Sequence, residues 1–269
     1  MSAAGAALSR LDYGTFLDEP PHHGPYTTIK VHDFGDGLVE AGWSRVEERK
    51  KRSSKGRKRE KKKREKMSEI DIERSLRRAK ANIRRKVMAS GADHLLTLTY
   101  RENVTDEAQA WRDWSKFIRA LRKALGEFKH IVVAEKQKRG AIHFHAAVVG
   151  FQNVRLIRRI WLSVVGDGNI DVQHKDGKKG VQWKRNRLAC YLSKYISKAF
   201  DLESFTGRHR YRCSQNIEII KRIFYLPYAS GMEALLIRDL ISKIAGVEPA
   251  FWWEPPGIRE HYGWACTWS

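Results

Sequence analysis

Between His130 and Val149 two apolar runs, HIVVAEK (130–136) and AIHFHAAVV (141–149), flank the polar connection QKRG. Both are short and rich in β-branched or aromatic residues, and Gly140 can supply a turn conformation, so the segment reads as a β-hairpin. A strand directs successive side chains to opposite faces. His143 and His145 therefore share one face, while Ile142, Phe144 and Ala146 take the other. If residue 135 pairs with residue 143, Glu135 joins the two imidazoles; a shift of register by one residue removes it.

The flanking sequence sets this hairpin in an α+β domain. Helical spacing runs from Ser68 to about Met88 and again through Trp111, Trp114, Phe117, Ile118, Leu121 and Leu125. HLLTLTY (94–100) reads as a buried strand, VRLIRRIWLSVV (154–165) as a helix, and NIDVQ (169–173) and GVQW (180–183) as short strands. A helix over about 187–200, a last strand within 210–220 and a helix around 231–244 complete the pattern, with no fixed-period repeat. Strands interleaved with amphipathic helices predict an antiparallel sheet covered on one face. The expected organisation is a weakly structured segment over 1–44, a basic linker or helix over 45–68, the main domain over 69–225 and a helical, Trp-rich appendage over 226–269.

The chain has 269 residues and a formal net charge of +21, an electrostatic footprint for a polyanion, with nucleic acid the leading partner. From Arg45 to Lys66 fourteen Lys/Arg stand against four Glu, so about half of the excess lies in one run. That run suits a phosphate-binding arm or a solvated linker. Cys190, Cys213 and Cys266 are too few and too scattered for a disulfide framework or a cysteine zinc site. No apolar run approaches the length of a membrane span and the N-terminus lacks a signal-peptide pattern, so the expected location is the cytoplasm, with no membrane partner. Trp252, Trp253, Trp264 and Trp268 in the tail can stack on bases if exposed; burial in a small core is the expectation.

Two histidines and a carboxylate suit Mn²⁺, hydrated Mg²⁺, Zn²⁺ or Fe²⁺, and the basic surroundings favour an ion that works on phosphate. Downstream, YLSKYISK (191–198) places Tyr191, Lys194, Tyr195 and Lys198 on one helical face, beside an apolar stripe of Leu188, Leu192 and Ile196. A phenol of pKa ~10 is only about 0.1% ionised at pH 7, a deficit of roughly 4 kcal/mol. Neighbouring lysines and a divalent ion can offset it when a tyrosine attacks a phosphodiester. The 5′ phosphate then rests on tyrosine and a 3′ hydroxyl is released, and a second tyrosine four residues away allows cutting and rejoining to alternate.

In HLLTLTY (94–100), EKQKRGAIHFHAAVV (135–149) and YLSKYISK (191–198), taken in this order and preceded by SLRRAKANIRRKV (75–87), the chain resembles the HUH endonuclease superfamily. Within it the resemblance is to two-tyrosine replication initiators of filamentous and microvirus-type phages and related plasmids, and it spans about residues 69–217. The histidine pair precedes the tyrosines, as in replication initiators; conjugative relaxases have the reverse order. The resemblance implies an RRM-like antiparallel β-sheet with flanking helices, Mg²⁺ or Mn²⁺ as cofactor, and site-specific nicking of single-stranded or extruded origin DNA in rolling-circle replication. It implies His143, His145 and Glu135 as metal ligands, Tyr191 and Tyr195 as nucleophiles, and Lys194 as an assisting cation. No GxxxxGK[ST] motif is present, so helicase and polymerase are expected from the host, in a bacterial cytoplasm. Two alternatives stay open: a nonenzymatic single-stranded-DNA-binding protein, and an HUH transposase.

Overall fold

The structure is a computed structural model that describes residues 15–47, 68–137, 140–150, 153–173, 185–199, 211–227, 231–255 and 262–268, without the side chains of 197–199. These residues form an α+β protein with two antiparallel five-stranded sheets and five helices. They fall into two compact units, one drawn from both ends of the chain (within 1–63 and 219–269) and one from its middle (64–218).

The middle unit holds α1 (Glu69–Ser90), β3 (His94–Tyr100), α2 (Glu107–Leu125), β4 (His130–Lys136), β5 (Ile142–Val148), α3 (Val154–Val165), β6 (Gly168–Gln173), α4 (Arg185–Ala199) and β7 (Tyr211–Cys213). From β3 to β6 the order is βαββαβ, and the strands lie in the sequence β6-β3-β5-β4-β7. Local chemistry delimits the helices. Ser68 and Asp106 accept hydrogen bonds from the first turns of α1 and α2, and Gly91 closes α1 at φ 71°.

Helices cover both faces of this sheet, where one covered face was expected. Phe144, Ala146, Leu96 and Leu98 pack beneath Trp114, Phe117 and Leu121 of α2 and Ile157 and Trp161 of α3. The opposite face is also partly apolar, and Leu95, Ile131, Val133 and Ala147 are taken by Ile83 and Val87 of α1 and by Leu188, Leu192 and Ile196 of α4. Each such side chain buried contributes about 1.5–3 kcal/mol, enough to seat two helices on that half-face.

The terminal unit corrects the domain boundaries. Residues within the expected weakly structured 1–44 form β1 (Tyr26–Asp33) and most of β2 (Val39–Val46). The expected C-terminal appendage supplies partners for them: β8 (Ile220–Pro227), α5 (Glu233–Ala245), β9 (Phe251–Trp253) and β10 (Tyr262–Cys266), in the order β8-β1-β2-β10-β9. Because β8 pairs along β1 from Tyr26 to Asp33, the main domain ends before it and not at residue 225. Ile29, Val31, Val39, Ala41, Trp43 and Phe224 pack under Ile237, Leu240 and Ile241 of α5. Most of the basic run, and GVQW (180–183), lie outside the described residues.

His130 ties the start of β4 to the chain after β7. Its Nδ1 lies 3.0 Å from Ser214 Oγ and 3.2 Å from the Phe128 carbonyl oxygen, and the residue is 4% exposed. Burial pushes this imidazole down to about 4 from 6.5, against the opposing hydrogen bond to Phe128. The unfolded chain therefore takes up a proton that the folded one refuses between these values, so stability is full above pH 6.5 and falls as pH drops toward 4. Urea unfolding of the wild type should lose about 3 kcal/mol more over this window than that of His130→Asn.

Candidate active site

The register of the middle sheet builds this site one cross-strand row at a time. Leu95, Ala147 and Ile131 form an apolar row; Thr97, His145 and Val133 form a mixed one; Thr99, His143 and Glu135 form a polar one. Glu135 pairs with His143, the register that its place on the histidine face requires. The face thus passes from oily to polar within about 10 Å, at a strand rise of ~3.3 Å per residue. A helix that docks by an apolar stripe must settle on the oily side and leave its polar flank at the border.

Helix α4 does this. Leu188, Leu192 and Ile196 are fully buried, and the ring of Tyr195 lies flat on the imidazole of His145, with centroids 3.8 Å apart and planes at 13°. The Tyr195 hydroxyl donates to the Tyr191 hydroxyl at 2.6 Å, and the two rings meet edge to face. Burial, the hydrogen bond to Tyr191 and the negative charge of Glu135 all raise the Tyr195 phenol above its ordinary range, so at rest it is protonated. Lys194 stands between the tyrosines in sequence and is exposed; the side chain of Lys198 lies outside the described residues.

Beneath the rings, His145 Nε2 is 2.9 Å from Glu135 Oε2, and its Nδ1 is 3.3 Å from Thr97 Oγ1. A carboxylate only accepts, so Nε2–H donates to Glu135, and in a neutral ring Nδ1 accepts from the threonine hydroxyl. Gln137 Nε2 lies 3.1 Å from His143 Nδ1, where its amide donates to the ring. Thr97 and Gln137 escaped the sequence reading, although strand parity carries the signal: Gln137 continues the face of Glu135, and Thr97 pairs with His145.

Among the described residues no group of three His, Cys, Asp or Glu side chains stands ready around one point to hold a metal. The structure brings two of the three expected ligands into contact, Glu135 and His145, with His143 paired to Glu135 across the strands. The donor chemistry still fits a divalent ion. Adjacent ligands on an octahedral ion with ~2.1 Å bonds are about 3 Å apart, which is the spacing of Glu135 Oε2 and His145 Nε2. Thr97 would then accept from Nδ1–H, the second contact that orients a metal-binding histidine.

Residues 93–200 match the model of a family of replication-associated proteins of the ORF2 type. The matched segment is less than half of the chain, yet it encloses Glu135, His143, His145, Tyr191, Lys194 and Tyr195, and it supports a role in replication initiation for the unit that carries them. Comparison with curated proteins gave no match, and comparison with solved structures gave none. Among the described residues no helix is long and apolar enough to cross a membrane.

If the stack on His145 helps to hold α4, the shape of residue 195 matters more than its hydroxyl. Tyr195→Phe should cost at most about 1 kcal/mol in chemical denaturation, whereas Tyr195→Leu should cost about 1–2 kcal/mol more.

Proposed function

We propose that this chain is an HUH-type initiator of rolling-circle replication, which nicks and rejoins single-stranded origin DNA through a 5′-phosphotyrosine. The observation that carries the reading is the stack of Tyr195 on His145 with the Tyr191 hydroxyl within hydrogen-bond distance of Tyr195. It joins motifs about fifty residues apart into one site on one sheet face. The βαββαβ order, with histidines on a central strand and tyrosines on a later helix, supports the same reading, as does the family match over that span.

In the proposed reaction the oxygen of one tyrosine attacks the phosphorus of a phosphodiester. The bond to the 3′ oxygen breaks, that oxygen gains a proton, and the 5′ phosphate stays on the tyrosine; the reverse step reseals the strand. Tyr191 and Tyr195 are close enough to exchange a proton, so whichever reacts has the other as a hydrogen-bond donor to its developing phenolate. Glu135 and His145, with His143 beside them, would hold a divalent ion, Mg²⁺ or Mn²⁺, whose chemistry when bound is to polarise the scissile phosphate. Lys194, one residue from Tyr195 and exposed, can pair with the incoming backbone. Helicase and polymerase activities belong to separate partners in this reading.

The test is incubation of the purified chain with single-stranded fragments tiling its own replicon, in Mn²⁺ or in EDTA, followed by denaturing gel and mass spectrometry. The expected result is an EDTA-sensitive covalent adduct on Tyr191 or Tyr195 that disappears in the Tyr191→Phe/Tyr195→Phe double variant. An adduct that survives the double variant overturns the reading, as does tight binding without any adduct across the whole replicon. A second readout bears on the ligands alone: Mn²⁺ should raise the melting temperature of the wild type by a few degrees and leave that of Glu135→Ala/His145→Ala unchanged.

A further inference from the structure

The terminal unit has an open sheet face that the proposed reaction does not use. Strand parity puts Ile29, Val31, Ala41, Trp43 and Ala265 under α5, so the alternate residues form the other face. At its β9–β10 end that face carries Phe251, Trp253 and Tyr262, exposed by 47%, 45% and 42%, together with the partly buried Trp264. The rings meet in cross-strand pairs, Phe251 with Trp264 at 5.4 Å and Trp253 with Tyr262 at 5.8 Å. Trp252 turns the opposite way and packs on Trp43 at 4.5 Å, so the expected burial of the tail tryptophans holds for Trp252 and fails for Trp253.

One row across the sheet gives these rings a direction. Lys30 pairs with Gly42, Gly42 with Trp264, and Trp264 with Trp253. An exposed ammonium, a bare backbone position and two indoles thus lie in line, with the strands ~4.8 Å apart. Lys221 adds a second exposed cation on the same face. Gly42 leaves a trough between Lys30 and Trp264, and no conformational need explains it: a Cβ there would meet only the Gly263 carbonyl oxygen, at 3.8 Å.

We propose that this face binds single-stranded nucleic acid, with unpaired bases stacked on Phe251, Trp253, Tyr262 and Trp264 and the backbone phosphates drawn to Lys30 and Lys221. Three features select this occupant. Ring-bearing residues recur at every second position, ~6.7 Å apart along each strand, so successive rings can serve successive bases of an extended strand. The cations lie beside the rings and not among them, which suits a ligand with apolar bases and a charged backbone. A duplex hides its base faces and gains nothing from the rings, whereas the chain's charge of +21 favours any polyanion. The face lies outside the matched residues 93–200 and needs neither the tyrosines nor a metal, so this proposal can fail while the nicking reading stands, and the reverse.

The experiment is fluorescence anisotropy of a labelled oligothymidylate with the full chain in EDTA, over a salt series, with a duplex of equal length as control. Phe251→Ala/Trp253→Ala should weaken single-strand binding by about tenfold or more, leave the slope of affinity against salt unchanged, and spare duplex binding. Gly42→Val fills the trough in a residue type better suited to a strand, so it should fold at least as well and still lower single-strand affinity. Ultraviolet crosslinking of the wild type should map to the peptides holding residues 251–253 and 262–266. Unchanged affinity in both variants overturns the proposal, as does an equal loss for duplex or crosslinks that avoid both peptides. Loss of self-association in the alanine variant, with oligothymidylate affinity unchanged, would assign the face to a second copy of the chain and overturn it equally.

Discussion

The candidate site depends on a boundary drawn across one face of a sheet. On β3, β4 and β5 the residues facing α4 change from Leu95, Ala147 and Ile131 to Thr99, His143 and Glu135 in two steps along the strands. The oily rows hold α1 and α4 by burial, which is non-directional and strong. The polar rows keep their side chains in hydrogen bonds that a covering helix would break. The helix therefore stops at the border, and its half-exposed tyrosines are fixed there by packing that belongs to their leucine and isoleucine neighbours. A helix with the same tyrosines but a different apolar stripe would present them elsewhere.

This arrangement keeps rigidity separate from chemistry. Leu188, Leu192 and Ile196 are fully buried, while Tyr191 and Tyr195 are only partly so, which leaves the phenols open to a substrate without loosening their mounting. The same division holds below the helix. Val133 anchors β4 in the core, and Glu135, two residues along, reaches the imidazole of His145. Thr97 and Gln137 then fix the two histidines, so each ring has its orientation set by a neighbour on the sheet.

Much of the middle unit was legible in the sequence because its information is local. The hairpin from β4 to β5 carries its own turn and its own alternation, and its register followed from the pairing that brings Glu135 to His143. The helices announced themselves by period and caps. The second covered face was missed because Leu95, Ile131, Val133 and Ala147 lie on four alternating positions of three strands, and only the assembled sheet shows that they form one patch. The terminal unit was hidden for a related reason. YTTIKVHD and VEAGWSRV do alternate, but the strands that complete their sheet lie near residues 220 and 262, and sequence separation of that size leaves no local trace. The roles of His143, His145 and Glu135 could be anticipated from parity; that Glu135 would reach His145 and not its own pairing partner depends on side-chain rotamers that no pattern encodes.

The interleaving of the two units also bears on how the chain is made. A ribosome delivers β1 and β2 first, yet their neighbours β8 and β10 emerge only after the whole of the middle unit has been synthesised. Until then the hairpin is a two-stranded ribbon with both edges unpaired, a form with little stability of its own and open to pairing with other chains. The middle unit has no such wait and can close as soon as β7 has left the exit tunnel. The order of assembly is thus the reverse of the order of translation, and a transcript that stops early would yield the tyrosine-bearing unit without the aromatic sheet.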